Sequence, residues 1–318
     1  MKTISFAGLA YENKKKKTRR EQFLEEMDKV IPWAELVQVI EKYYPKAGNG
    51  RQPMPMERML RIYFMQQWYA LSDPAMEDAL YDIESMRRFA DIDLSLDVVP
   101  DETTILNFRH RLEKHNLTKQ IFENTKNYLK EKGLLLREGT IVDATIINAP
   151  ASTKNREQKR DPEMHSTRKG NNYYFGMKAH IGTDTGKGLV HDVVVTDASV
   201  HDSQVMDELV HGDEEVIYGD KAYSNEEKKK EYEAKGINWR VNLRGCRWRK
   251  LTEEEVATNH EQSQIRAKVE HIFMVVKHLW RYTKVRYKGL YKNTVQVFSL
   301  FALANLYLVR HELKVTGA

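Results

Sequence analysis

Residues 140–146 read TIVDATI, and this stretch decides the fold of the second half of the chain. Its β-branched content predicts a strand. Asp143 interrupts the apolar run, and a carboxylate buried in a strand costs free energy unless a partner offsets the lost hydration. Divalent cations such as Mg²⁺ prefer oxygen ligands. The stretch therefore predicts a strand that carries a metal ligand.

Downstream of this strand the pattern indicates an α/β layer around a mixed sheet. Residues 151–172 are polar and are predicted to form a loop, and residues 173–181 alternate as in a strand. The remaining predicted elements are strands at 188–195 and 216–220 and helices at 202–210 and 225–234.

Two further acidic residues have unusual settings. Asp220 ends the apolar run VIYGD, and Glu270 lies in a strongly periodic segment, 265–282, that predicts a helix. Each residue of a helix turns the chain by about 100° around the helix axis. Residues that follow the buried apolar positions by one therefore form a second stripe at the edge of the buried face. Asp220 could equally begin a turn, and Arg266 with Glu270 could form an ordinary i, i+4 surface pair. The apolar stripe comprises Ile265, Val269, Ile272, Val276 and Leu279, and the adjacent stripe comprises Arg266, Glu270, Phe273 and Lys277.

The sequence pattern of the first 132 residues predicts a basic arm followed by helices. Residues 1–20 end in a cluster of lysines and arginines between Lys14 and Arg20, which favours either a solvated arm or one that contacts phosphates. Residues 21–132 repeat apolar positions at helical spacing, with helix starts at Ser72 and Asp101. One of these helices carries Arg109 and Arg111. The pattern predicts an all-helical DNA-binding domain of helix-turn-helix type, and an ordinary helical bundle with a charged surface is the alternative.

A basic segment lies between the second and third acidic residues. Residues 239–250 read WRVNLRGCRWRK, within a predicted basic insertion at about 236–262. Its arginines and its tryptophans, Trp239 and Trp248, could hold DNA by charge and stacking, or the tryptophans could form a minor core. The candidate DNA contacts here are Arg244, Arg247 and Arg249.

Composition excludes several classes of protein. The 318 residues carry a net charge of +5, and Cys246 is the only cysteine, which excludes an internal disulfide framework and a cysteine-based zinc site. The N-terminus lacks the apolar core of a signal peptide. The most apolar stretch, 295–309, is too short to span a bilayer and predicts a buried helix. We therefore expect no membrane association and a cytoplasmic location.

The sequence resembles the bacterial transposases of the fifth insertion-sequence family, within the DDE superfamily. The resemblance covers about residues 20–308 and rests on motifs that occur in order. They are PKAGNGRQP, MERMLRIYFMQQWYALSDPAMEDALYDI, DETTILNFRHRLE, GTIVDATIINAPASTKNREQKRDPEMH, YFGMKAHIG, IRAKVEHIF, RYKGL and LFALANL.

The resemblance implies an RNase H-like catalytic domain at 133–318, with Asp143, Asp220 and Glu270 as its acidic triad. A related signature, Tyr-x2-Arg-x3-Glu-x6-Lys, matches Arg266, Glu270 and Lys277, but Ser263 occupies the tyrosine position. The pair His201-Asp202 also resembles a family element, without an assigned role.

The implied chemistry is DNA cleavage and joining with two Mg²⁺ or Mn²⁺ ions. Asp143 would bridge both ions while Asp220 and Glu270 each hold one, and Arg266, Lys277 and Lys178 are candidates for DNA contacts. The expected partners are double-stranded DNA, as terminal inverted repeats and target, and a second copy of the chain in a homodimeric DNA complex in the bacterial nucleoid. An RNase H-fold nuclease or resolvase without strand transfer is one alternative, and a non-enzymatic repressor derived from a transposase is another.

Overall fold

The structure is a computed structural model that describes residues 11, 13–50, 52–245 and 248–316. The chain divides into two compact units. One contains the residues up to Leu117 together with the segment from Val309 onward, and the other is Thr118–Leu308. We predicted the boundary at 132/133 and placed the C-terminus in the catalytic domain, so the division differs at both points.

Side-chain contacts explain this division. In the first unit, Glu26 pairs with Lys314 at 2.8 Å, which fastens the C-terminal helix to the first one. In the second unit, Phe122 packs on Phe298 with 5.8 Å between ring centroids. The helix that contains Phe122 therefore belongs to the core of the α/β unit, although its sequence pattern resembles that of the helices before it.

Helices form the described part of the first unit, and side-chain caps set their starts. Thr18 caps the first helix in a capping box with Glu21, and Ser72 and Asp101 cap two later helices, as predicted. The helices are α1 (Arg19–Val30), α2 (Trp33–Glu41), α3 (Met56–Tyr69), α4 (Asp73–Asp82), α5 (Glu84–Phe89), α6 (Glu102–Lys114) and, at the C-terminus, α12 (Arg310–Thr316).

Part of the predicted basic arm packs against this helical unit. Lys14 forms an ion pair with Glu21, and Lys17 forms one with Glu25 at 2.7 Å. Helix α1 begins at Arg19, inside the segment that we predicted to be an arm. Within the described residues, these two lysines are therefore partly neutralised by the first helix.

The second unit is a mixed sheet flanked by helices, and this confirms the predicted fold class. Strand β2 lies inside the segment predicted as a loop, because its five residues are polar and mostly exposed and show no apolar alternation. The elements are α7 (Leu117–Glu131), β1 (Gly139–Asn148), β2 (His165–Lys169), β3 (Asn172–Asp184), β4 (Val190–Asp197), β5 (Val216–Gly219), α8 (Glu226–Ala234), β6 (Asn238–Val241), α9 (Glu253–Arg266), α10 (Lys268–Met274) and α11 (Leu290–Leu308).

The sheet is antiparallel on one side of β1 and parallel on the other. Its strand order is β2-β3-β1-β5-β6, and β4 also pairs with β3. Strand β1 runs antiparallel to β3 and parallel to β5, and β5 runs parallel to β6. The short parallel strands β5 and β6 are joined through α8, as a parallel pair requires a crossover connection.

The two faces of β1 have different neighbours. Val142 belongs to an apolar cluster with Tyr223 and Tyr232. Successive side chains of a strand point to opposite faces, so Asp143 and Thr145 lie on the other face from Val142. That second face is the one contacted by the C-terminal helices, because Lys277 bonds to Thr145.

Besides β2, three predictions for this unit are wrong in detail. Residues 202–210 form two 3₁₀ turns, Asp202–Gln204 and Met206–Glu208, instead of a helix. The helix predicted at 265–282 begins earlier, at Glu253, and is interrupted at Ala267.

The third error concerns the apolar stripe of that helix. Residues Val275–Leu279 form a π-helical turn, and an extra residue in a turn rotates the following side chains around the axis. Leu279 is therefore 48% exposed, and Trp280, at 2%, takes its place in the core.

Helix α11 is a buried helix, as predicted from its apolar content. Val295 and Leu306 are almost completely buried, and the amide of Asn305 bonds both backbone groups of Val190 on β4. Among the described residues, none of the helices has both the length and the apolar character needed to cross a membrane.

Candidate active site

Asp143, in the middle of β1, lies beside Asp220, which directly follows the parallel strand β5. The register of β1 and β5 pairs Val142 with Gly219. Asp143 is one residue further along β1, and Asp220 is the residue that follows β5. Neighbouring residues of parallel strands point to the same face. The two carboxylates that the sequence singled out are therefore brought together by strand register.

Electrostatics also couple these two carboxylates. The pKa of Asp143 is raised to about 6, chiefly by burial, and the negative charge of Asp220 contributes to the rise. The Arg266 guanidinium and a hydrogen bond from the Ala144 N–H act in the opposite direction. The side chain of Asp143 is only 23% exposed. A buried carboxyl beside a second carboxylate favours a bound cation, because a cation offsets both the burial and the repulsion.

Each aspartate is held by a local backbone hydrogen bond. Asp143 Oδ1 accepts from the Ala144 N–H at 2.8 Å, and Asp220 Oδ1 accepts from the Ala222 N–H at 2.7 Å. Within the described residues, the second oxygen of Asp220 has no hydrogen-bond partner. These bonds orient the carboxylates and leave oxygen atoms available to a ligand.

Helix α9 and the π-helical turn after α10 bring two cations to the same face of β1. Arg266 Nη2 lies 3.7 Å from Asp143 Oδ2. Lys277 Nζ donates to Thr145 Oγ1 at 3.0 Å and to the Ile146 carbonyl at 3.1 Å. Arg266 Nε is buried and has no hydrogen-bond partner among the described residues, so this guanidinium retains an unused donor beside Asp143.

Glu270 lies on α10, between Arg266 and Lys277 in the sequence. Its side chain is exposed, and its carboxylate has no hydrogen bond or ion pair with the described part of the chain. The alternative, an Arg266–Glu270 surface pair, is absent from the described residues, since Arg266 lies against Asp143. Glu270 is therefore available to a ligand that approaches the face of β1.

The three carboxylates do not form a compact cluster. Among the described residues, one group of three His, Cys, Asp or Glu side chains has ligand atoms that all lie within 4.8 Å of one another, and it does not include Asp143, Asp220 or Glu270. The structure brings Asp143 and Asp220 together, and the convergence of Glu270 with them stays a prediction.

Ser263, which replaces the signature tyrosine, has a structural role in this chain. Its hydroxyl donates to the Asn259 carbonyl at 2.7 Å and accepts from the Asn242 amide at 3.0 Å. Asn259 also bonds both backbone groups of Leu243. These bonds fasten α9 to the residues that follow β6, and so they position Arg266 at the end of that helix.

Two of the predicted DNA contacts are wrong, because their side chains are buried and paired. Arg109 is 9% exposed and forms ion pairs with Asp73 at 2.9 Å and Glu113 at 2.8 Å. Lys178 is 11% exposed and pairs with Asp202 at 2.9 Å. A phosphate could reach neither cation unless these buried pairs were broken.

The other predicted DNA contacts have more accessible positions. Arg244 and Arg249 are exposed, although Arg249 pairs with Glu255. Arg111 is half-buried and donates to the Tyr43 carbonyl at 2.8 Å. Arg247 lies outside the described residues.

The two tryptophans of the basic segment differ in their contacts and in their exposure to solvent. Trp239 stacks on Tyr232 with 5.8 Å between ring centroids, as the minor-core alternative predicts. Trp248 is 89% exposed.

Asp202 and Tyr223 are parts of this site that the sequence did not assign. Burial raises the pKa of Tyr223 well above its usual value, with further contributions from the charges of Asp202, Asp143 and Asp220. The charges of all three aspartates therefore act on Tyr223. Its Oη atom is buried without a hydrogen-bond partner among the described residues. The position of Tyr223 three residues after Asp220 is the only sequence signal that could have identified it.

These features define a carboxylate-based centre of the kind found in enzymes that act on phosphodiesters. Residues 135–306, more than half of the chain, match the family described as the transposase DDE domain. The protein belongs to this family, and its catalytic unit has the mixed sheet flanked by helices that the sequence resemblance implied. Residues 12–111 match a second family, described as transposase domain DUF772.

One solved structure is also similar to the chain. It is the cryo-EM structure of the piggyBac transposase synaptic complex with hairpin DNA. The two sequences are 11% identical, the match covers 92% of this chain and 73% of that chain, and the TM-score is 0.46.

Proposed function

We propose that this transposase binds the terminal inverted repeats of its own insertion sequence, cleaves at their ends and joins the resulting 3′-hydroxyls to target DNA. One observation supports this proposal above the others. Asp143 in β1 and Asp220 at the end of β5 occupy adjacent positions on parallel strands, and burial raises the pKa of Asp143 to about 6. This combination is typical of a site that is completed by a cation.

The residues present fit a pair of divalent metal ions. The donor set is carboxylate oxygen, which suits Mg²⁺ and Mn²⁺. Asp143, Asp220 and the exposed carboxylate of Glu270 would hold the two ions, with Asp143 shared between them. When bound, such ions activate the attacking oxygen and neutralise the leaving oxygen of an in-line displacement at phosphorus.

The protein's own cations would then position the DNA backbone. Arg266 has an unused buried donor beside Asp143, and a guanidinium can bind two phosphate oxygens at once. Lys277 is bonded to β1, and burial lowers its pKa, with a further contribution from the charge of Lys169. We assign Arg266 to the scissile phosphate, and we assign Lys277 to the alignment of α10 with β1 and to a neighbouring phosphate.

The site needs no covalent link between protein and DNA. Water would attack at the end of the element and release a 3′-hydroxyl, and that hydroxyl would attack the target phosphodiester. In each step one P–O bond forms while another breaks, so the number of phosphodiester linkages is conserved in the joining step.

DNA recognition is assigned to two parts of the chain. The helical unit would bind the inverted repeats, with Arg111 among its contacts. The exposed residues Arg244, Arg249 and Trp248 would hold DNA close to the cleavage point by charge and stacking. Because two ends must be held for one insertion, we expect a homodimer in the DNA complex.

The finer assignment follows the sequence resemblance. We place the protein in the fifth insertion-sequence family of bacterial transposases and expect it to act in the cytoplasm, on the nucleoid. Ser263 in place of the signature tyrosine argues against a tyrosine-dependent step at that position.

An RNase H-fold nuclease or resolvase that cuts without joining remains the alternative function. A joining assay separates the two functions. The protein is incubated with Mg²⁺, a supercoiled target plasmid and labelled DNA from the flank of its own gene, supplied already cut with a free 3′-hydroxyl. Covalent transfer of the label to the plasmid supports the transposase. Cleavage of uncut flank DNA with no transfer from the pre-cut end would support the nuclease.

A further inference from the structure

A second cluster of ligand-type side chains lies away from the acidic pair. His191 and Asp192 are consecutive residues of β4, and His211 lies in the segment between the 3₁₀ turns and β5. Asp192 Oδ2 is 2.9 Å from His191 Nδ1 and 3.4 Å from His211 Nδ1. The three ligand atoms all lie within 4.8 Å of one another. Two imidazole nitrogens and one carboxylate oxygen are thus close enough together to bind one ion.

Hydrogen bonds on the far side of His191 determine which of its nitrogens carries a proton. The buried Glu214 carboxylate accepts from the backbone N–H groups of His211 and Gly212, at 2.5 and 2.7 Å. It also accepts the hydroxyl proton of Thr140 at 2.9 Å. With Glu214 ionised, Thr140 gives its one proton to that carboxylate, and its oxygen then accepts from His191 Nε2, which lies 3.1 Å away.

This arrangement leaves the other nitrogen of His191 with two possible states. With Nε2 protonated, a neutral His191 has a lone pair on Nδ1, and that lone pair faces the acceptor oxygen of Asp192 at 2.9 Å. Two acceptors at that distance repel each other. Either His191 carries a second proton and a positive charge, or His191 Nδ1 and Asp192 Oδ2 share a bound cation.

We propose that His191, Asp192 and His211 form a transition-metal site, with Zn²⁺ as the ion that fits it best. Two imidazoles and a carboxylate are a common Zn²⁺ donor set, with a water in the fourth position. Ligand atoms about 2.0–2.2 Å from a tetrahedral Zn²⁺ are separated by roughly 3.3 Å. The separations from Asp192 Oδ2, 2.9 and 3.4 Å, lie on either side of that value.

The residues that hydrogen-bond to the proposed ligands resemble those that usually orient the ligands of a metal site. Histidine ligands generally donate their second N–H to an oxygen that is itself fixed by hydrogen bonds. Here His191 donates to Thr140, which donates to Glu214. Glu214 is 3% exposed, and none of its hydrogen-bond partners in the described part of the chain is a cationic side chain. Its buried negative charge would balance part of the charge of a divalent ion.

Local packing keeps the His191 ring in place. A Cβ at Gly182, the residue paired with Asp192 on β3, would lie 2.7 Å from His191 Cε1 and 2.4 Å from the Leu209 carbonyl oxygen. Only glycine allows this close approach, which is a common meaning of a glycine inside a strand. The side chains of His211 and Asp192 are 19% and 28% exposed, so solvent and ions can reach the site.

This site is distinct from the acidic pair. Thr140, to which His191 bonds, precedes Asp143 by three residues on β1. An odd separation along a strand puts the two side chains on opposite faces, and three residues span about 10 Å. An ion at His191 would therefore join β4 to the segment that leads into β5. It would lie on the opposite face of the sheet from Asp143 and Asp220.

Neighbouring charges give the competing explanation. Lys126 donates to the His191 carbonyl at 3.1 Å and pairs with Glu123 at 2.6 Å. The charge of Lys130 is also close enough to interact with that of Asp192. In the competing explanation these lysines exclude a metal, and His191 and Asp192 form a simple ion pair.

The test is a metal titration of the full-length chain with Asp143→Asn, in which the acidic pair has lost a ligand. The protein is stripped with a chelator and titrated with Co²⁺, and the visible absorption of the bound ion is recorded. Competition with Zn²⁺ and thermal unfolding in both ions follow. We expect one ion per chain, an absorption spectrum of a nitrogen- and oxygen-bound tetrahedral ion, and a higher Tm with Zn²⁺, since ligand binding stabilises the folded state.

Four variants in that background identify the ligands. His211→Gln and Asp192→Asn should each weaken Zn²⁺ binding on the order of 100-fold, and Thr140→Val on the order of 10-fold. The matched control is His165→Gln, because His165 is an exposed histidine with its own aspartate neighbour, Asp197, at 3.5 Å. It should bind Zn²⁺ as the parent does.

Two results would overturn the proposal. One is the absence of stoichiometric Co²⁺ or Zn²⁺ binding by the folded Asp143→Asn chain, with the His191 ring doubly protonated by NMR, which would establish the ion pair. The other is equal Zn²⁺ affinity of His211→Gln and the His165→Gln control. The first measurement uses a chain whose ligand cluster is unaltered, so it decides the question even if a ligand variant fails to fold.

Discussion

Arg266 and Asp143 are joined across the face of the sheet, with 3.7 Å between Arg266 Nη2 and Asp143 Oδ2. The contact links the end of α9 to the middle of β1. It partly opposes the burial and the Asp220 charge that raise the pKa of Asp143 to about 6. At neutral pH the Asp143 carboxylate is therefore ionised at a cost in folding free energy. A bound cation would offset that cost.

The raised pKa predicts that Asp143 destabilises the metal-free protein at neutral pH. Its pKa is about 6 in the folded protein against the ordinary 3.8, so the folded chain holds this proton more tightly than the unfolded chain does. The penalty is absent below pH 4, develops between pH 4 and 6 and is complete above pH 6. Asp143→Asn should therefore raise stability at pH 8, by roughly 2–3 kcal/mol, and leave it almost unchanged at pH 4.

Thermal unfolding in a chelator at both pH values measures this effect. The exposed residue Asp213, which pairs loosely with Arg137 at 3.5 Å, gives the control Asp213→Asn, expected to change stability little at either pH. A Tm of Asp143→Asn below that of the unaltered protein at pH 8 would contradict the burial argument.

Much of the fold was predictable because local patterns dominate it. The cap residues Ser72 and Asp101 and the strand around Asp143 follow from short-range rules, and the structure confirms them. Strand β2 has no apolar alternation, since it lies at the edge of the sheet with most of its residues exposed. The π turn that exchanges Leu279 for Trp280 depends on packing that periodicity alone does not encode.

The site was predictable to a similar extent. Asp143 and Asp220 stood out because a carboxylate at a buried strand needs a partner, and register places them together. Arg109 and Lys178 were misassigned because a cation on a helix or strand has the same sequence signal whether it is exposed or buried in an ion pair. Their partners, Asp73 and Asp202, are distant in sequence.

The corrected role of Arg109 makes a second prediction. Arg109→Ala would leave Asp73 and Glu113 without their buried partner, so it should destabilise the helical unit by about 3–5 kcal/mol. Lys114→Ala, an exposed change on the same helix, should cost less than about 0.5 kcal/mol. Denaturant unfolding followed by a probe in the helical unit compares the two variants. Equal stabilities would indicate that the Arg109 pairs contribute nothing.

The exposed arginines after β6 make a third prediction. Arg244→Ala with Arg249→Ala should reduce DNA cleavage severalfold at unchanged Tm, because phosphate contacts are lost while the core is untouched. If each arginine neutralises one phosphate, the slope of log binding constant against log salt concentration should fall by about 1.8 in total.

Lysines on α8 supply the control for this pair. Lys229→Ala with Lys230→Ala removes the same charge from the same unit. Equal changes in salt slope for the two double variants would indicate a general charge effect and would remove the assigned role of the segment after β6.

The central claim is that Glu270 completes a catalytic centre with Asp143 and Asp220, and one paired measurement tests it most directly. Glu270→Gln keeps the size of the side chain and removes a charged ligand, so it should alter transition-state stabilisation and leave DNA recognition intact. Binding and single-turnover cleavage are measured on the same inverted-repeat DNA in Mg²⁺, with Glu254→Gln as the control for an exposed glutamate of the neighbouring helix α9.

We predict that Glu270→Gln binds end DNA within about twofold of the unaltered protein and cleaves it on the order of 100-fold more slowly. Glu254→Gln should match the unaltered protein in both measurements. Cleavage by Glu270→Gln at the unaltered rate would contradict the assignment of the acidic triad.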